Sequence, residues 1–224
     1  MFNVSLPAAE DQTVVALTFK NTQGIVTMIG DRVEGNSYVD SIYGYLKRQE
    51  NTEAAFAPFA KAMRNYCEYA RKNFGNDPGI PLDLDPIVMN RSLLTPFILA
   101  EGSSPTGISF AGLVLDLSAA TSMRIVFTLS AGKSIDSYKF KIDNKDVTAQ
   151  PFGGSMYYVE VPNIPAAELD LPHTVSINGT QVLSNVSALS YAYRGLGNAS
   201  YSQNLKETLM ALYYYNVAAN NYFR

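Results

Sequence analysis

The sequence predicts an α+β protein, an antiparallel β-sandwich followed by a helical hairpin, with a truncated copy of the same strand-then-helix module ahead of it. Three observations carry this expectation. Short β-branched runs recur between residues 107 and 184. Two long stretches place apolar residues at helical spacing. The chain also aligns with itself at an offset of 149 residues, so that Ser37–Phe74 overlays Val186–Phe223 without a gap.

In that overlay the identical pairs are Ser41/Ser190, Ala62/Ala211, Tyr66/Tyr215, Ala70/Ala219 and Phe74/Phe223. Four of them fall at a spacing of four, which is one stripe of a helix, so the copies share a buried face and not merely a composition. Upstream, FNVSLPAAED near the start resembles YVEVPNIPAAELD at 158–170. The first copy therefore begins near the last strands of its module, and the chain is expected to be an excerpt of a longer protein. The division is a C-terminal part of a first module (1–75), a linker (76–97) and a second module with its sandwich at 98–185 and helices at 187–224.

Element by element, TVVALTF (13–19) and IVTMI (25–29) flank NTQG and read as a hairpin. A helix pair follows, Tyr38–Gln49 and Glu53–Asn73, the second with Asn51 or Thr52 as N-cap. Its apolar stripe is Phe56, Phe59, Ala60, Met63, Cys67, Ala70 and Phe74. Pro58 falls in the first turns, where proline does least harm, and Gly75 stops the helix. Four prolines and two glycines in 75–97 predict a linker without regular structure. Strands are expected at 107–116, 122–130, 136–142, 155–161, 172–177 and 180–184, with turns at Asp143-Asn144 and Asn178-Gly179. Their spacing points to an immunoglobulin-like sandwich. A short helix at 187–196 and a final one over Tyr201–Phe223 complete the module. Ser200 and Gln203 would form its capping box, and Leu205, Leu209, Leu212, Asn216, Ala219 and Phe223 its buried stripe.

The helices of the first copy, SYVDSIYGYLKRQ and FAPFAKAMRNYCEYARKNFG, are similar to a pattern of Ser-Val-x-x-Tyr-Ala and then Lys-Ala-Met-x-Asn-Tyr-Gly-x-Tyr-Ala-Gln-x-x-Phe. LMALYYYNVAANNYF and MYYVEVPNIPAAELD resemble the ending and the preceding strand of the same pattern. The family they resemble is a module of large secreted or wall-anchored proteins of anaerobic gut Gram-positive bacteria. Such proteins carry several modules beside leucine-rich repeats, dockerins or surface anchors. The likeness covers nearly the whole chain and is most specific in the helices. Cys67 stands where the pattern has Gly, and Arg71 where it has Gln. The resemblance implies a non-catalytic extracellular binding or adhesion module, without a cofactor, and transfers no site residues.

Composition narrows the partner. With 47% apolar and 17% charged residues the chain is globular. A net charge of −3 and no Lys/Arg run argue against nucleic acid. No apolar stretch approaches the roughly 18 residues of a membrane span. One cysteine excludes an internal disulfide, which fits the cytosol or a Gram-positive exterior. The 15 tyrosines suit a contact surface, or else helix–sheet seams. The partners expected are a protein or glycan outside the cell, a host glycoprotein such as immunoglobulin among them, and neighbouring modules of the same chain. A passive spacer in a cell-wall array is the alternative.

Candidate chemistry is sparse. His173, the only histidine, follows Pro172 at a strand start, outside any nucleophile motif. Cys67 lies on an apolar helical stripe, as a small buried hydrophobe would. One Cys and one His cannot make a zinc site. Asp77, Asp83 and Asp85 offer oxygen ligands to calcium but lack a twelve-residue EF-hand loop, and a solvated linker is the other reading. The twenty acidic residues fall mostly in turns and helix starts, a weak basis for a glycosidase pair. Tyr213, Tyr214 and Tyr215 span about 200° of a helix. If Tyr215 and Leu212 face inward, Tyr213 or Tyr214 points away as a candidate partner contact.

Overall fold

The structure, a computed structural model, describes residues 15–18, 33–34, 37–51, 54–75, 81–117 and 121–224, and before Ser41 the backbone alone. The chain begins with three short strands, β1 (Val15–Thr18), β2 (Val33–Glu34) and β3 (Ser37–Asp40), in a sheet of order β1-β3-β2. The described partner of β1 is β3, antiparallel; the expected hairpin partner at 25–29 lies outside the described residues.

The first helix does not start at Tyr38. Residues 37–40 are strand, and Ser41 caps α1 (Ile42–Gln49), its Oγ accepting from the Gly44 N–H at 3.0 Å. The longer α2 (Ala57–Phe74) begins at Ala57 rather than Glu53. Proline fixes φ and brings no N–H, so Pro58 sits in the first turn, where no intrahelical donor is missed. Gly75 ends the helix at φ 71°, a left-handed cap that favours glycine.

Residues 81–97 are not a free linker. Their backbone borrows partners from α2: the Asp83 N–H donates to Glu68 Oε2 (2.7 Å) and the Asp85 N–H to Asn65 Oδ1 (2.9 Å). Asn65 and Tyr69 in turn donate to the Asp85 carbonyl. Arg91–Phe97 then form a 3-10 helix that buries Leu94 fully. Arg91 donates to the Tyr193 carbonyl at 3.0 Å and lies 3.9 Å from that ring's centroid. The prolines prevent a regular helix or strand, and side chains of the flanking helices satisfy the backbone instead.

The remaining strands are β4 (Ala100–Glu101), β5 (Ile108–Asp116), β6 (Ser122–Leu129), β7 (Phe140–Ile142), β8 (Lys145–Val147), β9 (Gln150–Gly153), β10 (Met156–Val161), β11 (His173–Ile177) and β12 (Thr180–Val186). They form two antiparallel sheets of order β5-β6-β10-β9 and β4-β12-β11-β7-β8. Period-2 alternation decides which face is inside: Met123, Ile125, Phe127 and Leu129 of β6 are buried, while Arg124 and Thr128 between them are half-buried. Val175 and Ile177 of β11 and Val182 and Leu183 of β12 join the same apolar cluster, which both sheets share. Asp143-Asn144 (φ 51° and 65°) and Asn178-Gly179 (φ 51° and 81°) are the expected hairpin turns. The expected strand 136–142 is shorter, because Ile135–Ser137 form a 3-10 turn, and β4, β8 and β9 are too short to leave a sequence signal.

Two helices close the fold. α3 (Ala188–Gly197) opens on a capping box between Ser187 and Ser190. α4 (Gln203–Phe223) is capped by Ser202, not Ser200, with its Oγ accepting from the Leu205 N–H; Gln203 bonds Glu207 instead of closing a box. Because Ser41 caps α1 but its overlay partner Ser190 lies one turn inside α3, the ungapped alignment slips in the first helix. In the second, α2 and α4 pack antiparallel. Phe59 meets Tyr222 and Phe223, Lys72 meets Glu207 at 2.7 Å, and between them Tyr66 stacks on Tyr215 at 5.4 Å and 8°. These two tyrosines are paired in the 149-residue overlay, and on that alignment the antiparallel helices meet about a local two-fold axis. Phe74 and Phe223, expected on the buried stripe, are 57% and 60% exposed, although the Phe223 ring still meets Phe59 edge-on.

The stack has one strained term: the Tyr66 hydroxyl is buried without a hydrogen-bond partner among the described residues. An orphaned buried hydroxyl costs about 1–3 kcal/mol. Tyr66→Phe is therefore expected to raise the urea midpoint by the equivalent of about 1 kcal/mol, whereas Tyr215→Ala lowers stability by about 3 kcal/mol. Equilibrium unfolding followed by circular dichroism checks both signs.

Candidate functional site

Two concave regions are built into the sandwich. The larger is a groove of about 600 Å³ beside β7 and β8. Ile135, Tyr138, Phe140 and Val147 give it an apolar floor continuous with the core, and Asp136, Lys139, Lys141 and Asp146 give it a mixed-charge rim. Its loop is pinned from two sides. Asn178 accepts from the Lys139 N–H at 2.8 Å and donates to the Ser137 carbonyl, and the Tyr138 hydroxyl donates to the Thr106 carbonyl at 2.9 Å. Gly107 makes room for that tyrosine: with φ +90°, any Cβ there would also lie 2.7 Å from the Tyr138 hydroxyl.

The smaller is a cleft of about 370 Å³ between the edge strand β5 and α3, lined by Ala111, Gly112, Leu113, Tyr191, Arg194, Gly195, Asn198 and Tyr201. A register shift in β5 between Phe110 and Gly112 marks a β-bulge facing it. Gly195 lets α3 approach closely, since a Cβ there would meet Leu209 at 2.4 Å and the Tyr201 ring at 3.2 Å. Burial, and then the hydrogen bond to Tyr201, push the Tyr191 phenol up, so it is neutral over the working pH range. Arg194 pairs with Glu101 at 2.8 Å and lies over the Phe110 ring.

The residues singled out from sequence fall elsewhere. Tyr213 and Tyr214 are both half-buried, their rings 5.3 Å apart. The Tyr214 hydroxyl donates to the Val88 carbonyl, so the 81–97 segment lies against that side of α4 and the candidate partner contact is a half-buried surface. Asp83 and Asp85 are held by cations. Lys47 lies 2.5 Å from Asp83, Tyr43 donates to it at 2.8 Å, and buried Arg64 engages Asp85, Glu50 and the Asp83 carbonyl. Asp77 lies outside the described residues, and among those described no group of three His, Cys, Asp or Glu side chains is placed to hold a metal. His173 Nδ1 sits 2.6 Å from Asp143, which also accepts from the Thr174 N–H, so the pair ties the β7–β8 turn to β11. Cys67 is buried on α2. Among the described residues no helix is long and apolar enough to cross a membrane.

Neither concavity was foreseen. The groove depends on which loop Asn178 clamps, and the cleft on a bulge and a helix contact, all long-range facts. The one local signal was Asn178-Gly179, which fixed a turn but not its grip on residues 137–139. No family model, curated protein or solved structure matches the chain.

Three carboxylates titrate below their ordinary values. The Lys47 ammonium is the chief cause for Asp83, and the Lys72 ammonium for Glu207. At Asp143 partial burial works upward but is outweighed by His173 and the Thr174 N–H. Groups with depressed folded values stabilise the fold above their unfolded values of 3.8 and 4.5 and lose that contribution as pH falls through the folded ones. Urea unfolding between about pH 5 and pH 2 should show falling stability, with a shallower slope in Asp83→Asn.

Proposed function

We propose that this chain is a non-catalytic binding module of a repetitive extracellular protein, secreted by or attached to the wall of a Gram-positive bacterium, and that it engages a host glycoprotein, immunoglobulin included, or a glycan. The observation that carries the reading is the groove of about 600 Å³ with an apolar floor and a charged rim. Small-ligand and peptide sites combine concavity, apolar lining and a few placed polar groups in this way. The strand orders support an immunoglobulin-like identity for the sandwich: β5-β6-β10-β9 and β12-β11-β7-β8 run as A-B-E-D and G-F-C-C′ do in that fold, with β4 added beside the last strand. The resemblance of the helices supports the location, and the groove, more than Tyr213 and Tyr214, is the surface the reading rests on.

A passive spacer is the second reading, favoured by the α2–α4 packing that joins the repeated helices. The two separate on binding. Immobilised immunoglobulin G and mucin should capture the full chain in a biosensor, and Thr148→Arg, which fills the groove from an exposed position, should weaken capture by about tenfold or more without lowering the melting temperature. Equal failure of both proteins to bind either surface favours the spacer.

A further inference from the structure

We propose that the cleft between β5 and α3 is a subsite for a neutral sugar unit of a glycan; this rests on the reading of the chain as a binding module. Its donor and acceptor set is the argument. The Tyr191 and Tyr201 hydroxyls bond each other, which leaves the pair one further O–H donor and free lone pairs for a ligand, and each adds a ring face. The Asn198 Oδ1 already accepts from the Ser200 N–H at 2.9 Å, which leaves its amide N–H groups for a ligand. The Arg194 guanidinium lines the cleft with one nitrogen bonded to Glu101 at 2.8 Å, which leaves its other N–H groups as donors.

Charge selects against the alternatives. Among the described residues the one cation lining the cleft is Arg194, and Glu101 pairs with it, so a phosphate, sulfate or sialate would meet no net positive charge. A purely apolar ligand would cover the remaining hydrogen-bonding capacity of the Tyr191–Tyr201 pair and the Asn198 amide, at about 1–3 kcal/mol for each polar group left unpaired. A polyhydroxylated, uncharged ring satisfies both conditions. The edge of β5 adds backbone groups that no strand among the described residues pairs on that side, beside the same volume. At about 370 Å³ the cleft also falls within the range of small-ligand pockets, roughly 300–1,000 Å³.

Gly112 offers a test that removes no polar group. Nothing lies within 4 Å of a Cβ built there, and it opens on the cleft, so Gly112→Phe should fill the space without a backbone clash. The labelled full chain would be applied to an array of neutral and sialylated mammalian glycans. Neutral features should bind, with signal reduced by about tenfold or more in Gly112→Phe and in Tyr201→Phe, the second guarding against misfolding of the first. Binding to no feature, binding confined to sialylated or sulfated features, or binding unchanged in both variants overturns the proposal. Immunoglobulin or mucin capture that survives enzymatic deglycosylation and Gly112→Phe, yet is lost in Thr148→Arg, overturns the sugar site while leaving the binding module intact. Absence of all capture removes that module reading as well.

Discussion

The packing of α2 on α4 is the constraint on which the rest of the molecule depends. Each helix is wet on its outer side, and neither the sandwich nor the 81–97 strap alone covers their inner stripes. Tyr66, Tyr69, Ala211 and Leu212 belong to the same buried cluster as the strands, so the helix pair closes the core of the sheets as well as its own seam. Ala60, Ala70 and Ala219 are fully buried, and their small side chains let the axes approach until Tyr66 and Tyr215 stack. Remove that contact and the strap loses the α2 side chains that satisfy its backbone.

The second layer of organisation is electrostatic. Arg64 is 1% exposed and gathers Glu50, Asp85 and the Asp83 carbonyl, so α1, α2 and the strap meet on one guanidinium. Glu68 and Arg71 form a similar buried pair one turn further along α2, at 2.8 Å, with the Asp83 N–H on Glu68. Buried ion pairs add little net stability over apolar replacements, but breaking one leaves an uncompensated charge at a cost of about 3–5 kcal/mol. Their value here is register: they specify where an otherwise featureless proline-rich segment lies. The acidic residues that look from sequence like metal ligands are the counter-ions of this arrangement.

Much of the fold could be read from the sequence because its signals are local. Alternation marked six of the nine strands of the two sandwich sheets, Asn178-Gly179 and Asp143-Asn144 marked two hairpins, and Gly75 marked a helix stop. The errors also have local causes. Ser41 and Ser202 were passed over as caps because the helical pattern of apolar residues extends beyond them, and a pattern does not record where the backbone turns in. Phe74 and Phe223 continue the apolar stripe in sequence, but each sits at a helix end where it is left more than half exposed. The site was hardly readable at all. The groove and the cleft are made by contacts such as Asn178 with Lys139 and Gly195 with Leu209, which have no counterpart in spacing or composition. The bond from Tyr214 to the Val88 carbonyl is equally invisible in sequence, since it comes from a segment expected to be a free linker.

Where α2 and α4 are read as equivalent helices, their antiparallel contact has a consequence for any longer chain built from this repeat. A contact in which one position meets a second as the second meets the first is self-complementary, so it is complete once two copies have met. Solenoids grow because every repeat offers one face to the unit before it and a different face to the unit after. This face is spent on a single mate. Further copies would assemble as successive couples, rigid within a couple and articulated between couples, and the chain would have the mechanics of jointed rods, not of a continuous spring.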